Sequence, residues 1–189
     1  MKVKCISLWQ PWATLVVAGH KRIETRSWQT SYRGRLAIHA AKRWAADQID
    51  LCGMQPFHRL LLPHFEDTAA RPGRRVAVEE IPHGVLLGTV ELADCLPIVE
   101  AGSLPAGKPC IALDDESILR VWHPFEAGGQ KAHSGDGYLQ VGEYEHALGD
   151  YSPGRFGWLL RDPKPLRTPV PLRGGRMLFE IDEALLADD

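Results

Sequence analysis

Ser7-Leu8-Trp9-Gln10-Pro11-Trp12-Ala13 opens a stretch that continues through Gly19-His20-Lys21, Glu24-Thr25-Arg26-Ser27-Trp28 and Tyr32-Arg33-Gly34-Arg35 and ends at Lys42. Its punctuation predicts the local structure. Val3–Leu8 reads as a strand, rich in apolar and β-branched residues. Pro11 suits the first turn of a helix, where its missing N–H costs nothing, so Pro11–Ala18 reads as a short helix. Gly19 ends it in a left-handed cap. Ile23–Arg26 reads as a short strand, Ser27–Gly34 as a polar, aromatic loop, and Arg35–Ala40 as a further strand, with Leu36 and Ile38 on one face and Ala37 and His39 on the other.

The same stretch carries chemistry. Trp9, Trp12, Trp28 and Tyr32 offer faces on which bases stack. Lys21, Arg26, Arg33 and Lys42 are cations suited to phosphates, and Gln10 offers a donor and an acceptor to a base edge. Residues 1–43 hold nine Lys/Arg and one acid, Glu24, for a sum of +8; the rest hold 13 basic and 23 acidic residues, or −10, and the total is −2. This asymmetry predicts one electropositive face on an acidic body. If Ile23–Arg26 is a strand, Glu24 and Arg26 share a face. The carboxylate could orient its cations, accept a base amino group, or act as a general base. His39, inside the basic segment, joins the candidate binding residues.

Working outward, Arg43–Leu51 and Pro56–Leu62 read as helices and residues 63–83 as a loop. Val85–Leu92 is a strong strand, and residues 96–110, with their prolines and glycines, read as a loop. Asp114–Trp122 reads as a helix with an aspartate N-cap. Residues 127–142 are Gly-rich and polar, a flexible excursion that could serve as a lid. Phe156–Leu160 and Met177–Ile181 are apolar strands; Pro163, Pro165, Pro169 and Pro171 between them suit an extended edge. Short strands interleaved with short helices predict a small barrel decorated by helices, not a doubly wound sheet.

Several classes are excluded. The 189 residues suit one domain, and no apolar run approaches the length of a membrane span. The N-terminus lacks a signal-peptide pattern. Cys5, Cys52, Cys95 and Cys110 are too widely spaced for a zinc motif and read as free thiols of a cytoplasmic protein. Cys52, His58 and His64 fall at six-residue intervals, which turn successive side chains to different helix faces, so no metal and no cofactor are expected. Gly102–Lys108 has the letters of a phosphate loop, but Pro109 follows where a Ser or Thr is needed.

The run from Gln10-Pro11-Trp12-Ala13 through Gly19, Lys21, Glu24, Arg26 and Trp28, followed by Arg33-Gly34-Arg35-Leu36 and Ile38-His39-Ala40-Ala41-Lys42, resembles the ASCH domain family. Gly88–Cys95, Phe156–Leu160 and Pro171–Glu180 resemble its later strands more generically. The resemblance implies an α+β, PUA-like small β-barrel flanked by short helices. The whole chain, 1–189, would be one such domain with insertions around 43–83 and 97–150. It implies a cleft beside the barrel and action on RNA, or DNA in some members. Some members resemble hydrolases of RNA or of a modified cytidine, in which the motif lysine pairs with a threonine and a distant glutamate. Lys21 matches that lysine, but Glu24 stands in place of the threonine. The pattern with Glu24 and Trp28 is closer to the ASCH domain of transcription-coactivator proteins, which implies binding more than turnover.

Three readings follow. The first is a nucleic-acid-binding domain, RNA or another single strand first, with Gln10, Trp12, Lys21, Glu24, Arg26, Trp28, Tyr32, Arg33, His39 and Lys42 lining the site. The second is a small hydrolase acting on RNA or a modified nucleoside, with Lys21 and Glu24 as catalytic groups. The third is a small-ligand or protein-interaction module.

Overall fold

The computed structural model describes residues 1–64, 80–100, 111–113, 119–122, 138–141 and 143–187. In chain order they form β1 (Lys2–Leu8), α1 (Trp12–Val17), β2 (Ile23–Arg26), β3 (Gly34–Ala40), α2 (Ala46–Cys52), α3 (Phe57–Leu61), β4 (Val85–Glu100), β5 (Ile111–Leu113), β6 (Leu119–Trp122), β7 (Tyr138–Val141), α4 (Glu143–Ala147), β8 (Phe156–Pro171) and β9 (Leu178–Asp182), with short 3-10 turns at Leu62–His64 and Glu183–Leu186. They divide into two compact units. One comprises Met1–Arg22, Arg33–Leu92 and Leu160–Asp189; the other comprises Ile23–Tyr32 and Ala93–Leu159.

In the first unit β1 lies between β9 and β3, and β3 pairs with β4. β1 and β3 run parallel, with Lys4 opposite Leu36 and Leu8 opposite Ala40. β9 runs antiparallel to β1, and β4 antiparallel to β3, with a register shift between Ile38 and His39. Both faces of β3 are buried from Leu36 to Ala40, as expected where strands are parallel and covered on both sides. On one face Val3, Cys5, Ala37, Leu86, Ile181 and Leu186 form a cluster onto which Leu166, Val170 and Leu172 pack. α1, buried from Ala13 to Val17, packs against β1 and β3.

The turns of α1 are built from side chain and backbone together. Gln10, almost fully buried, accepts from the Thr14 amide at 3.0 Å and donates to the Pro82 carbonyl at 2.6 Å. At the other end Gly19 takes φ +79°, and the His20 and Lys21 amides both return to the Leu15 carbonyl. This satisfies carbonyls that a helix end leaves open.

In the second unit β2 pairs antiparallel with the start of β8, Ile23 opposite Leu159 and Arg26 opposite Phe156. The end of β4 pairs in parallel with β5, and β5, β6 and β7 continue antiparallel. Trp158 is fully buried there.

The α+β class holds, but the sheet does not close into a barrel among the described residues: its path ends at β9 on one side and β7 on the other. Leu119–Trp122, expected as the end of a helix, is a strand, because its backbone pairs with β5 and β7. Residues 96–100 of the loop expected at 96–110 continue β4, and residues 101–110 lie outside the described residues. Residues 138–141 of the expected Gly-rich excursion form β7; residues 127–137 and Asp114–Ile118 lie outside the described residues. Cys5 and Cys52 are free and buried, and burial pushes their thiols up to about 12 and about 11. Cys95 is free and partly exposed, and Cys110 lies outside the described residues.

Gly88 on β4 is a packing glycine. A Cβ there would strike the Lys164 carbonyl oxygen and sit 2.9 Å from the Pro165 Cα, both backbone atoms that have little room to yield. Gly88→Ala is expected to cost about 1–3 kcal/mol, the range for overpacking, read as a lower urea midpoint at unchanged slope.

Candidate nucleic-acid interface

In the second unit β2 alternates as its sequence predicts. Ile23 and Thr25 are buried, while Glu24 and Arg26 are partly exposed on the opposite face. Arg26 Nε lies 3.0 Å from Glu24 Oε1. The rear of the strand is anchored by polar groups. The Ile23 amide donates to Glu145 Oε1 at 3.0 Å, the Asp150 amide donates to Thr25 Oγ1 at 3.2 Å, and Arg155 donates to the Thr25 carbonyl at 3.2 Å. Glu145 is 6% exposed, and its carboxylate also faces the Tyr151 hydroxyl at 3.3 Å. Burial, then the Glu145 and Glu24 charges, push the Tyr151 phenol far above its ordinary value, so it remains a neutral donor.

Trp28 follows directly after this strand. Its ring stands edge-on to Trp158, centroids 4.6 Å apart, and its carbonyl accepts from Trp158 Nε1 at 3.4 Å. One face of an aromatic is thereby held on a buried partner while the residue remains partly exposed. Tyr32, also partly exposed, belongs to the same unit.

The first unit holds the other candidates. Lys21 is only 2% exposed. Lys42 and Arg33 are exposed, and the Lys42 stem packs on Gly84. Trp12 is partly buried, edge-on to Phe57 at 5.9 Å. Gln10 is committed to Thr14 and Pro82, as described. His39 is 2% exposed, with Nε2 2.9 Å from the Leu172 carbonyl and Nδ1 3.0 Å from Ser7 Oγ. A carbonyl only accepts, so Nε2 carries the proton and Nδ1 accepts the Ser7 hydroxyl. Gly174 closes over this pair: a Cβ there would lie 2.6 Å from His39 Cε1 and 2.8 Å from Ser7 Oγ.

The charge map differs from the sequence sum. Lys4 and Arg35 pair at 2.9 Å with Glu180 and Glu183, and Lys2 pairs at 3.9 Å with Asp182. Three of the nine N-terminal cations are thus countered by acids of β9 and the turn after it. A second basic run lies at residues 161–176, where Arg161, Lys164, Arg167, Arg173 and Arg176 face one acid, Asp162, for a sum of 5 − 1 = +4. Lys164, Arg167, Arg173 and Arg176 are exposed. Averaging this run into the acidic remainder hides it from a sequence-wide count. Among the described residues no group of three or more His, Cys, Asp or Glu is placed to hold a metal, and no helix is long and apolar enough to cross a membrane.

The profile of the ASCH domain matches residues 6–146. The chain belongs to the ASCH domain family. This ASCH domain is 42% identical over 93 residues to Activating signal cointegrator 1 of Homo sapiens and of Mus musculus; the match takes in 49% of this chain and 14% of each relative. The chain therefore spans a small part of those relatives' length. Crystal structures of two mutants of an ASCH protein from Zymomonas mobilis are similar at TM-scores of 0.42, with 15% and 16% identity, covering 98% and 96% of this chain and 94% and 89% of theirs. Membership of the ASCH family rests on the sequence match.

Burial lowers the His39 pKa below the ordinary histidine value, with the Leu172 hydrogen bond opposing. The folded ASCH domain therefore holds His39 neutral over an interval in which the unfolded chain binds a proton. Its contribution is present above an unfolded value of about 6.5 and is lost as pH falls through that value toward the folded one. His64, lowered in the same way, adds to the slope. Urea midpoints at pH 7.5 and 5.5 are expected to fall further apart in the parent than in His39→Asn; equal slopes would refute the assignment.

Proposed function

We propose that this ASCH domain binds single-stranded nucleic acid, RNA first, as one domain spanning residues 1–189. The observation that carries the reading is β2 and the residues after it. A cation oriented by a carboxylate, Arg26 on Glu24, and an aromatic braced on a buried tryptophan, Trp28 on Trp158, sit two residues apart on an anchored strand end. In this reading Arg26 holds a phosphate, while Trp28 and Tyr32 of the same unit stack bases. Lys21, almost fully buried, supports its unit from within. Gln10, Trp12 and His39, packed or hydrogen-bonded within the first unit, hold the framework of that unit. Glu24 acts as the partner of Arg26, which favours binding over turnover by Lys21 and Glu24.

A second reading has one specific support. The 42% identity is to proteins named as a cointegrator, a name that speaks of joining partners, and the same surface could serve a protein ligand.

The test is fluorescence anisotropy of labelled 12-mer RNA and DNA against the full chain at several salt concentrations. Binding is expected to weaken with salt at about −0.7 log units per phosphate contact. Arg26→Ala should lower that slope by about one contact. Trp28→Ala should cost about 1–3 kcal/mol, the range for loss of one stacked base, and leave the slope unchanged. Absence of salt-dependent binding to every RNA and DNA tested would sink the proposal. RNA cleavage abolished by Lys21→Ala would replace it with the hydrolase reading.

A further inference from the structure

His20 and His64 are 44 residues apart in sequence, yet their Nε2 atoms lie 3.0 Å from one another. Both residues are solvent-exposed. The rings are inclined at 66°, centroids 5.1 Å apart, so they meet at their nitrogen edges rather than stacking. We propose that His20 and His64 form a two-imidazole clip for a divalent transition-metal ion of tetragonal preference, copper(II) or nickel(II).

The geometry sets the ion class. With metal–nitrogen bonds of about 2.0–2.1 Å, two nitrogens 3.0 Å apart subtend roughly 91–97° at a shared ion, whereas a tetrahedral angle would separate them by about 3.3–3.4 Å. An angle near 90° is that of square-planar and octahedral ions, and imidazole suits copper(II) and nickel(II). Among the described residues no third side chain joins the pair to make a larger cluster. Water or an anion would complete the coordination.

The site is also built in advance. His20 is fixed by the left-handed Gly19 turn, where Pro163 lies 3.2 Å from the position a Cβ would take, and its amide is bound to the Leu15 carbonyl. His64 closes the 3-10 turn that continues α3. α1 and α3 pack against each other, with Trp12 edge-on to Phe57. The two imidazoles are therefore presented by elements already in contact, and the ion has only to pivot two exposed rings from facing one another to facing a shared point. A sequence reading that tests His64 only against Cys52 and His58 cannot find this partner.

The experiment titrates the full-length chain, stripped with EDTA and desalted, with copper(II) or nickel(II) chloride at pH 7.5. Calorimetry should show one ion bound at micromolar affinity, and the copper(II) paramagnetic resonance spectrum should show nitrogen ligation. His20→Gln and His64→Gln should each weaken binding at least about tenfold. Diethylpyrocarbonate modification, mapped by mass spectrometry on the parent chain, gives a second readout that needs no variant: the ion should protect His20 and His64 together. Equal affinity in parent and variants, or protection confined to other histidines, would overturn the site and leave the contact as a hydrogen bond between the two rings.

Discussion

The parallel pairing of β1 with β3 is the constraint on which the rest depends. Two parallel neighbours cannot be joined by a tight turn; the chain must leave one end and return to the other, which takes a dozen or more residues. Here residues 9–33 make that return, and they contain most of the candidate site: Gln10, Trp12, Lys21, Glu24, Arg26, Trp28, Tyr32 and Arg33. The burial of Leu36–Ala40 on both faces of β3 makes the pairing costly to lose. A one-residue slip would change which side chains face Val3, Cys5 and Ile181 on one side and α1 on the other. The connection can therefore vary in chemistry while its two ends stay fixed.

The connection is pinned at intervals by groups distant in sequence. Gln10 bonds the Pro82 carbonyl, Ile23 bonds Glu145, and Thr25 bonds both Asp150 and Arg155. These are why the local elements were legible and their roles less so. β1, α1, β2 and β3 fall within a residue or two of their expected bounds, because alternation, Pro11 and Gly19 act within a few residues of one another. The face shared by Glu24 and Arg26 follows from the strand period alone. The burial of Gln10 and His39 does not, since it depends on Pro82, Leu172 and Ser7 arriving from elsewhere. Leu119–Trp122 shows the same limit from the other side. A nearby aspartate offers a helix cap, yet Leu-Arg-Val-Trp also alternates, and pairing with β5 and β7 decides for the strand. The prolines of β8 remove N–H donors from the ladder without ending it, so the strand runs from Phe156 to Pro171.

Charge was legible as a sum but not as a surface. The N-terminal excess is countered where β9 and its following turn bring Glu180, Asp182 and Glu183 alongside Lys2, Lys4 and Arg35. Exposed pairs of this kind add little stability. Their larger effect is to remove the sheet edge from the electropositive field. Of the other N-terminal cations Arg26 has Glu24 as a partner, and Arg33 and Lys42 are exposed; β8 and the loop after it add the exposed Lys164, Arg167, Arg173 and Arg176.

The two carboxylates behind the candidate site divide the work in a way that bears on binding against turnover. Glu145 is buried, accepts the Ile23 amide and faces a Tyr151 hydroxyl that stays protonated. Its oxygen is therefore used to hold the backbone of β2. Glu24, on the other face, is within ion-pair distance of Arg26. Both carboxylates are thus engaged, one with the backbone of β2 and one with its exposed cation. In the proposed reading the strand presents that cation, with Trp28 braced on Trp158 beside it, to a ligand, while Glu145 holds the strand from behind.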